Sequence, residues 1–177
     1  GVSADVLSFS DTHPATLIHA GGVIGPAALA LAERIPTTGR DFLNALIVGF
    51  ETACRVGRVI YPWHYNRGWH ITGTAGIFGA AAAAGKILGL DEQRMVWALG
   101  IASTQSAGLR EMFGSMCKNL HIGRAAQNGL ASAILASKGF TSSGQSLEAP
   151  RGFAHVLGDK PDLDALTRGL GETFEIL

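Results

Sequence analysis

Charge is scarce in this chain of 177 residues. Only 16% of positions are Asp, Glu, Lys or Arg, and 14 acids balance 14 bases. A surface that grips nucleic acid or an anionic membrane needs an excess of Lys and Arg, so no nucleic acid and no membrane is expected as partner. Cysteine is rarer still. Cys54 and Cys117 form no CxxC pair and no zinc spacing, which predicts two free, buried thiols in a reducing, cytoplasmic compartment and no metal site. No basic-then-apolar signal segment opens the chain. The uncharged stretch from Gly68 to Gly85 is largely Ala and Gly and holds His70. It lacks the ~20 strongly apolar residues of a membrane span and reads as a buried helix.

Familiar catalytic strings are missing too. Gly73-x-x-Gly76-x-x-Gly79 is not GxGxxG and follows no strand, so no dinucleotide fingerprint is present. Ser115-x-x-Lys118 matches the SxxK of penicillin-recognising enzymes, but SDN and KTG partners are absent. His64 and His70 occur without HExxH. No clear period-2 alternation runs between the helical segments, which argues against a sheet.

What the chain does have is apolar bulk and small residues: 47% hydrophobic positions and 24 glycines. That suffices for one domain with a sizeable core. Low charge with so many small residues suggests surface covered by another domain or subunit, and a homodimer is expected. Both ends read as cut. Gly1-Val2-Ser3-Ala4 is no initiator, and Thr173-Phe174-Glu175-Ile176-Leu177 reads as the start of a strand. The expected organisation is a partial helical domain over residues 1–161. A short helix and the start of a connection to a second, α/β domain would fill 162–177.

Helical signals recur along the chain. Residues 1–22 read mostly as loop. A helix is predicted from Val23 to Arg34, with Pro26 tolerable only in its first turn. Asp41 is expected to cap a second helix with Leu43, Leu46, Ile47 and Phe50 on its inner stripe. Residues 61–73 form an aromatic loop. A third helix, GTAGIFGAAAAAGKILGL, offers little but close approach. Asp91 caps a fourth, and a fifth runs from about Asn119 to Ser137 with Gly139 as its αL cap. Residues 140–161 read as loop, and Asp162 to Gly169 as a short capped helix. The fold class is all-α, a helical bundle.

Three segments carry chemistry. Asp11-Thr12-His13 with His19 can form an acid/base or anion-binding cluster, or simply a solvated turn. His70 sits just before a helix, beside Thr72 as a candidate cap. A helix N-terminus favours anions there, and the plain alternative is a His packed under Trp69 with a ring nitrogen on backbone. Lys118, His121 and Arg124 recur at spacings of three near a helix start, a plausible carboxylate site or else a basic turn.

Together these segments resemble the MmgE/PrpD family, which holds 2-methylcitrate dehydratases, cis-aconitate decarboxylases and iminodisuccinate epimerases. The resemblance rests on FSDTHPATLIHAGGVIGPAALALAE, GWHITGTAGIFGAAAAAGKILGLD, ALGIAST with SAGL, GSMCKNLHIGRAAQNGLASAILASKGF and the closing LTRGLGETFEIL. It implies an active-site loop with Thr12 and His19, a second histidine at His70 and a lysine at Lys118. Two departures stand out: Ser8 and Ser10 where the family often has Asp, and His19-Ala20-Gly21 where it often has HP. The resemblance implies a cofactor-free lyase or isomerase acting beside a carboxylate of a small polycarboxylate. In that scheme Lys118, helped by His121, holds the carboxylate. His19 and His70 donate and accept the proton, and Asp11, Thr12, His13 and Arg124 bind substrate. A 2-methylcitrate dehydratase-like reaction is preferred, with epimerase and decarboxylase as alternatives. The rival reading is a non-catalytic helical module.

Overall fold

A computed structural model describes residues 1–7 and 9–176. Seven α-helices account for most of it: α1 (Gly21–Ala32), α2 (Gly39–Ile60), α3 (Trp63–Asn66), α4 (Ile71–Ile87), α5 (Glu92–Ser103), α6 (Met116–Ser137) and α7 (Phe153–Leu157). Short 3₁₀ turns lie at Val2–Asp5, Arg110–Met112 and Leu163–Leu166. Among the described residues there is no strand, only the isolated bridges His13–Ile18 and Trp69–Leu109. No described helix is long and apolar enough to cross a membrane.

Helix α4 is the axis of the bundle. Every residue from Ile71 to Gly85 is buried, and α1, α2, α5 and α6 all contact it. A helix apolar on all sides has no solvent face to lose, so it takes the centre. Its small residues set how close the neighbours come. A Cβ placed on Gly79 would lie 2.6 Å from the carbonyl oxygen of Gly49, and one on Gly129 2.6 Å from that of Ile77. Helices α2 and α6 thus meet α4 backbone to backbone. Gly79→Ala is expected to cost about 1–3 kcal/mol by overpacking, despite alanine's better helix propensity. Gly39→Ala, in open space at the start of α2, is the control and should be neutral or slightly stabilising. Denaturant midpoints of the two variants check this; a stabilised Gly79→Ala would contradict the close packing.

Several local expectations need correction. Thr38, not Asp41, caps α2: its hydroxyl accepts from Asp41 N–H at 3.1 Å and donates to the Asp41 carboxylate at 2.6 Å. That is a reciprocal box, with the acid three residues inside the helix. The inner face of α2 is also turned. Leu43 and Ile47 are 59% and 40% exposed, while Ala45, Gly49 and Ala53 are buried, because only small residues permit the approach to α4. Asp91 caps α5 as expected, accepting from Arg94 N–H at 2.8 Å, and Gly139 has φ +85°. Helix α6 begins at Met116, which places Lys118 in its first turn. A short helix, α7, interrupts the segment read as loop over 140–161. Among the described residues of the closing stretch no strand is formed. Its backbone goes to side chains of α2 instead: Arg55 donates to the carbonyl of Thr173, and Glu51 accepts from Glu175 N–H. Leu177, the last residue of that stretch, lies outside the described residues.

Candidate active site

Three segments meet at the starts of α4 and α6. Residue 70 is the N-cap position of α4, with its carbonyl accepting from Gly73 and Thr74. Its own N–H donates to Gly108 O at 2.9 Å, and Arg110 N–H donates to Gly68 O at 2.7 Å. These two bonds pin the loop before α4 to the segment before α6. Thr72 does not cap α4; its hydroxyl accepts the backbone N–H of His19 at 3.1 Å. The loop carrying Thr12 and His19 is thereby tied to the first turn of α4.

The imidazole of His19 is oriented from behind. Its Nδ1 lies 2.7 Å from the carbonyl of Asp11 and 3.2 Å from Thr12 Oγ1. A carbonyl only accepts, so Nδ1 carries the proton, and Nε2 of the neutral ring is left with a lone pair. Asp11 itself is committed: its carboxylate accepts Gly21 N–H at 3.0 and 3.1 Å, a stabilising anion at the N-terminus of α1.

His70 is 2% exposed. Its Nδ1 lies 3.0 Å from Nδ1 of His121, and its ring meets Phe113 edge-on at 5.0 Å. Lys118 Nζ stands 6.0 Å from the centre of the same Phe113 ring. These two distances cap the separation of Lys118 Nζ from the His70 ring at about 11 Å, within reach of one small ligand. The plain alternative for His70, a ring beneath Trp69 bonded to backbone, describes His64 instead. That ring stacks on Trp69 at 5.6 Å and bonds Leu157 O and the Thr74 hydroxyl.

One member of the cluster escaped the sequence reading. Asp5 is 1% exposed and accepts from Lys118 Nζ at 2.8 Å, from Ser10 Oγ at 2.9 Å and from Asn119 Nδ2 at 3.3 Å. Its only signal in the sequence is an acid set among small and apolar neighbours, GVSADVL. No spacing rule ties residue 5 to residue 118. Ser10 therefore serves as a partner to a carboxylate rather than standing in for one, while Ser8 lies outside the described residues.

The remaining candidates do not join the cluster. Both ring nitrogens of His13 are engaged, with the Thr16 hydroxyl at 2.7 Å and Glu175 at 3.1 Å. It lines a separate cavity of about 290 Å³ with Asp11, Thr12, Cys54 and Glu175. Arg124 is exposed and bonds Gln127 at 3.0 Å, at the edge of a cavity of about 190 Å³ that His121 also lines. Each step of three residues turns a helix by about 300°, so Arg124 sits about 120° around α6 from Lys118. A cavity of about 660 Å³, lined by α5 and residues 140–157, holds none of these groups. Of the two free thiols, Cys54 is buried and Cys117 half-buried. Burial, aided by Glu175 and Glu51, pushes Cys54 up to about 12, so it stays a thiol.

Electrostatics link the cluster. Burial, with the nearby His121, Lys118 and His19, pushes His70 down to about 3, Asp5 opposing. Burial also lowers His121, and it lowers His64 to about 4 against the Leu157 hydrogen bond. For Asp5, burial raises the carboxyl, but Lys118, Ser10 and His19 outweigh it and hold it below its ordinary value. Two buried neutral histidines make stability pH-dependent. Between 6.5 and the folded values the unfolded chain binds more protons, so stability is full above about pH 6.5 and falls as pH drops towards 4 and 3. At pH 5 the expected loss is roughly 2 kcal/mol per histidine. Equal urea midpoints at pH 7 and pH 5 would contradict it.

Chemically, the site offers a fixed cation in Lys118, a buried acid that holds it, and imidazoles whose ring nitrogens can accept or donate a proton. Residues 1–166 match the MmgE/PrpD N-terminal domain. Cis-aconitate decarboxylase of Aspergillus terreus is 38% identical over 149 residues, covering 80% of this chain and 30% of that protein. The Homo sapiens cis-aconitate decarboxylase is 35% identical over 162 residues, 86% of this chain and 33% of its own length. The Mus musculus protein of the same name is 33% identical over 182 residues, 93% of this chain and 36% of its own. The chain thus spans about a third of the length of these relatives. A family match over nearly all of its residues, with the site segments inside it, makes this chain a member of the MmgE/PrpD family.

Proposed function

We propose that the protein is a cofactor-independent lyase that decarboxylates a small unsaturated polycarboxylate of the cis-aconitate kind. The observation that carries this is that Lys118 Nζ and the His70 ring both stand against Phe113, 6.0 and 5.0 Å from its centre, and the relatives' names favour decarboxylation over the dehydration first expected. Loss of CO₂ from a carboxymethyl arm next to a C=C leaves an electron pair that shifts across the allylic system. The charge arrives at the carbon bearing a second carboxylate, as an enediolate. A cation at that carboxylate stabilises the developing charge, and one proton completes the product. Lys118 supplies the cation; His70 supplies the proton, or His19 does so once its own Nε2 has taken one up.

The test is a panel of acids given to the full-length protein, with CO₂ release and water loss both followed. Release of CO₂ from cis-aconitate is the expected result. Water loss from 2-methylcitrate without CO₂ release would replace this reading with the dehydratase. No turnover of any acid would favour a non-catalytic helical module. The working form we propose is a homodimer. Phe9, Met116 and Leu7 are 92%, 89% and 77% exposed near the site segments, an apolar surface that association would cover. A monomer by light scattering at micromolar concentration would contradict it.

A further inference from the structure

We propose that His121 is a positioning residue for His70, not a ligand for the substrate carboxylate: through the Nδ1–Nδ1 hydrogen bond it lets His70 give or take a proton while both rings stay neutral. The inference rests on the catalytic reading of His70 given above.

The geometry is specific. At 3.0 Å two ring nitrogens need one proton between them, one donating and the other accepting. His70 is buried, and its Nε2 has no partner among the described residues, whereas His121 is half-buried and reaches the 190 Å³ cavity. Two glycines shape the slot. A Cβ on Gly108, where φ is +135°, would lie 3.3 Å from His121 Cγ and 3.4 Å from His70 Cβ. One on Gly73 would lie 3.3 Å from His121 Cβ and 2.6 Å from Ala107 O. The SAGL segment thus serves to seat the paired rings side by side, a role its spacing alone did not suggest.

The proton balance follows. With His121 Nδ1–H donating, His70 holds its own proton on Nε2. When the substrate carbon takes that proton, the shared proton shifts to His70 Nδ1, and water in the cavity delivers one to His121 Nε2. Each ring again carries one N–H, and the hydrogen bond has reversed direction. After product leaves, water in the cleft reprotonates His70 Nε2, His121 Nε2 releases its proton, and the starting pair returns. Neither ring is left as an imidazolium, which the lack of solvent around His70 would make costly.

His121→Asn is the test in the full-length protein. The amide reaches the same Nδ1 and keeps a hydrogen bond but cannot exchange protons across it. The expected result is kcat lower by about 10²-fold with KM changed less than about twofold. A raised KM at unchanged kcat would make His121 a substrate ligand, and unchanged kinetics would leave it without a role; either overturns the proposal. A second arm needs no substrate. In protein with ¹⁵N-labelled histidines, His70 and His121 should show opposite tautomers. Exchange of the His70 ring N–H with water should slow severalfold in His121→Asn. Identical tautomers, or unchanged exchange, would overturn the proposal even if no acid in the panel turned over.

Discussion

Lys118→Ala should cut kcat/KM by about 10²-fold or more, equivalent to about 3 kcal/mol of lost transition-state stabilisation. The ammonium is the fixed cation of the cluster, and the enediolate charge needs it most at the moment CO₂ leaves. Lys118→Arg should not restore the rate, since a planar fork cannot replace a point charge held 2.8 Å from Asp5. A lysine that merely faced a cleft could be removed with folding untouched. The ion pair changes that expectation. Asp5 is 1% exposed and Lys118 is 21% exposed at its side chain, so removing Lys118 strands a buried carboxylate. A stability loss of about 1–3 kcal/mol should accompany the loss of activity. Asp5→Asn combined with Lys118→Ala should recover most of the stability and none of the activity. A double variant as unstable as Lys118→Ala would show that the pair is not coupled as described.

His70→Gln should lower kcat by about 10²- to 10³-fold with little change in KM. Glutamine keeps polarity and approximate reach in a buried site but has no ring nitrogen that can give up a proton on one side while regaining one on the other. The comparison with His19→Gln then divides the labour. The histidine that delivers the proton to carbon is also required for exchange of the product's methylene hydrogens with D₂O, by microscopic reversibility. Loss of turnover with intact exchange in His70→Gln would move the donor role to His19, whose Nε2 is equally free of partners among the described residues.

Several parts of this picture that local rules govern were legible in the sequence. The Asp91 cap, the αL glycine at 139 and the small-residue helix at the centre depend on neighbours in the chain. Long-range pairings were not. Asp5 and Lys118 lie 113 residues apart, and His70 and His121 51 apart, so periodicity says nothing of them. The inner face of α2 was misjudged for a related reason: burial followed the closeness of α4, which favours Ala and Gly over Leu43 and Ile47. His13 and Arg124 looked like site residues because of their type and spacing, yet partners outside those motifs, Glu175 and Gln127, engage them. The resemblance to a known family pointed to Thr12, His19, His70 and Lys118, and the fold brings the segments that carry them to the starts of α4 and α6. It did not supply Asp5, Phe113 or the role of Gly108, which only the packing reveals.

The central claim is that one small polycarboxylate sits against Lys118, His70 and His19 together. A crystal structure of the full-length protein soaked with a tricarboxylate measures this directly. The expected result is a carboxylate within about 3 Å of Lys118 Nζ, with the same molecule within about 3.5 Å of Nε2 of His70 or His19. A tricarboxylate bound in the cavity beside His13 or Arg124, with Lys118 still held only by Asp5, would contradict it.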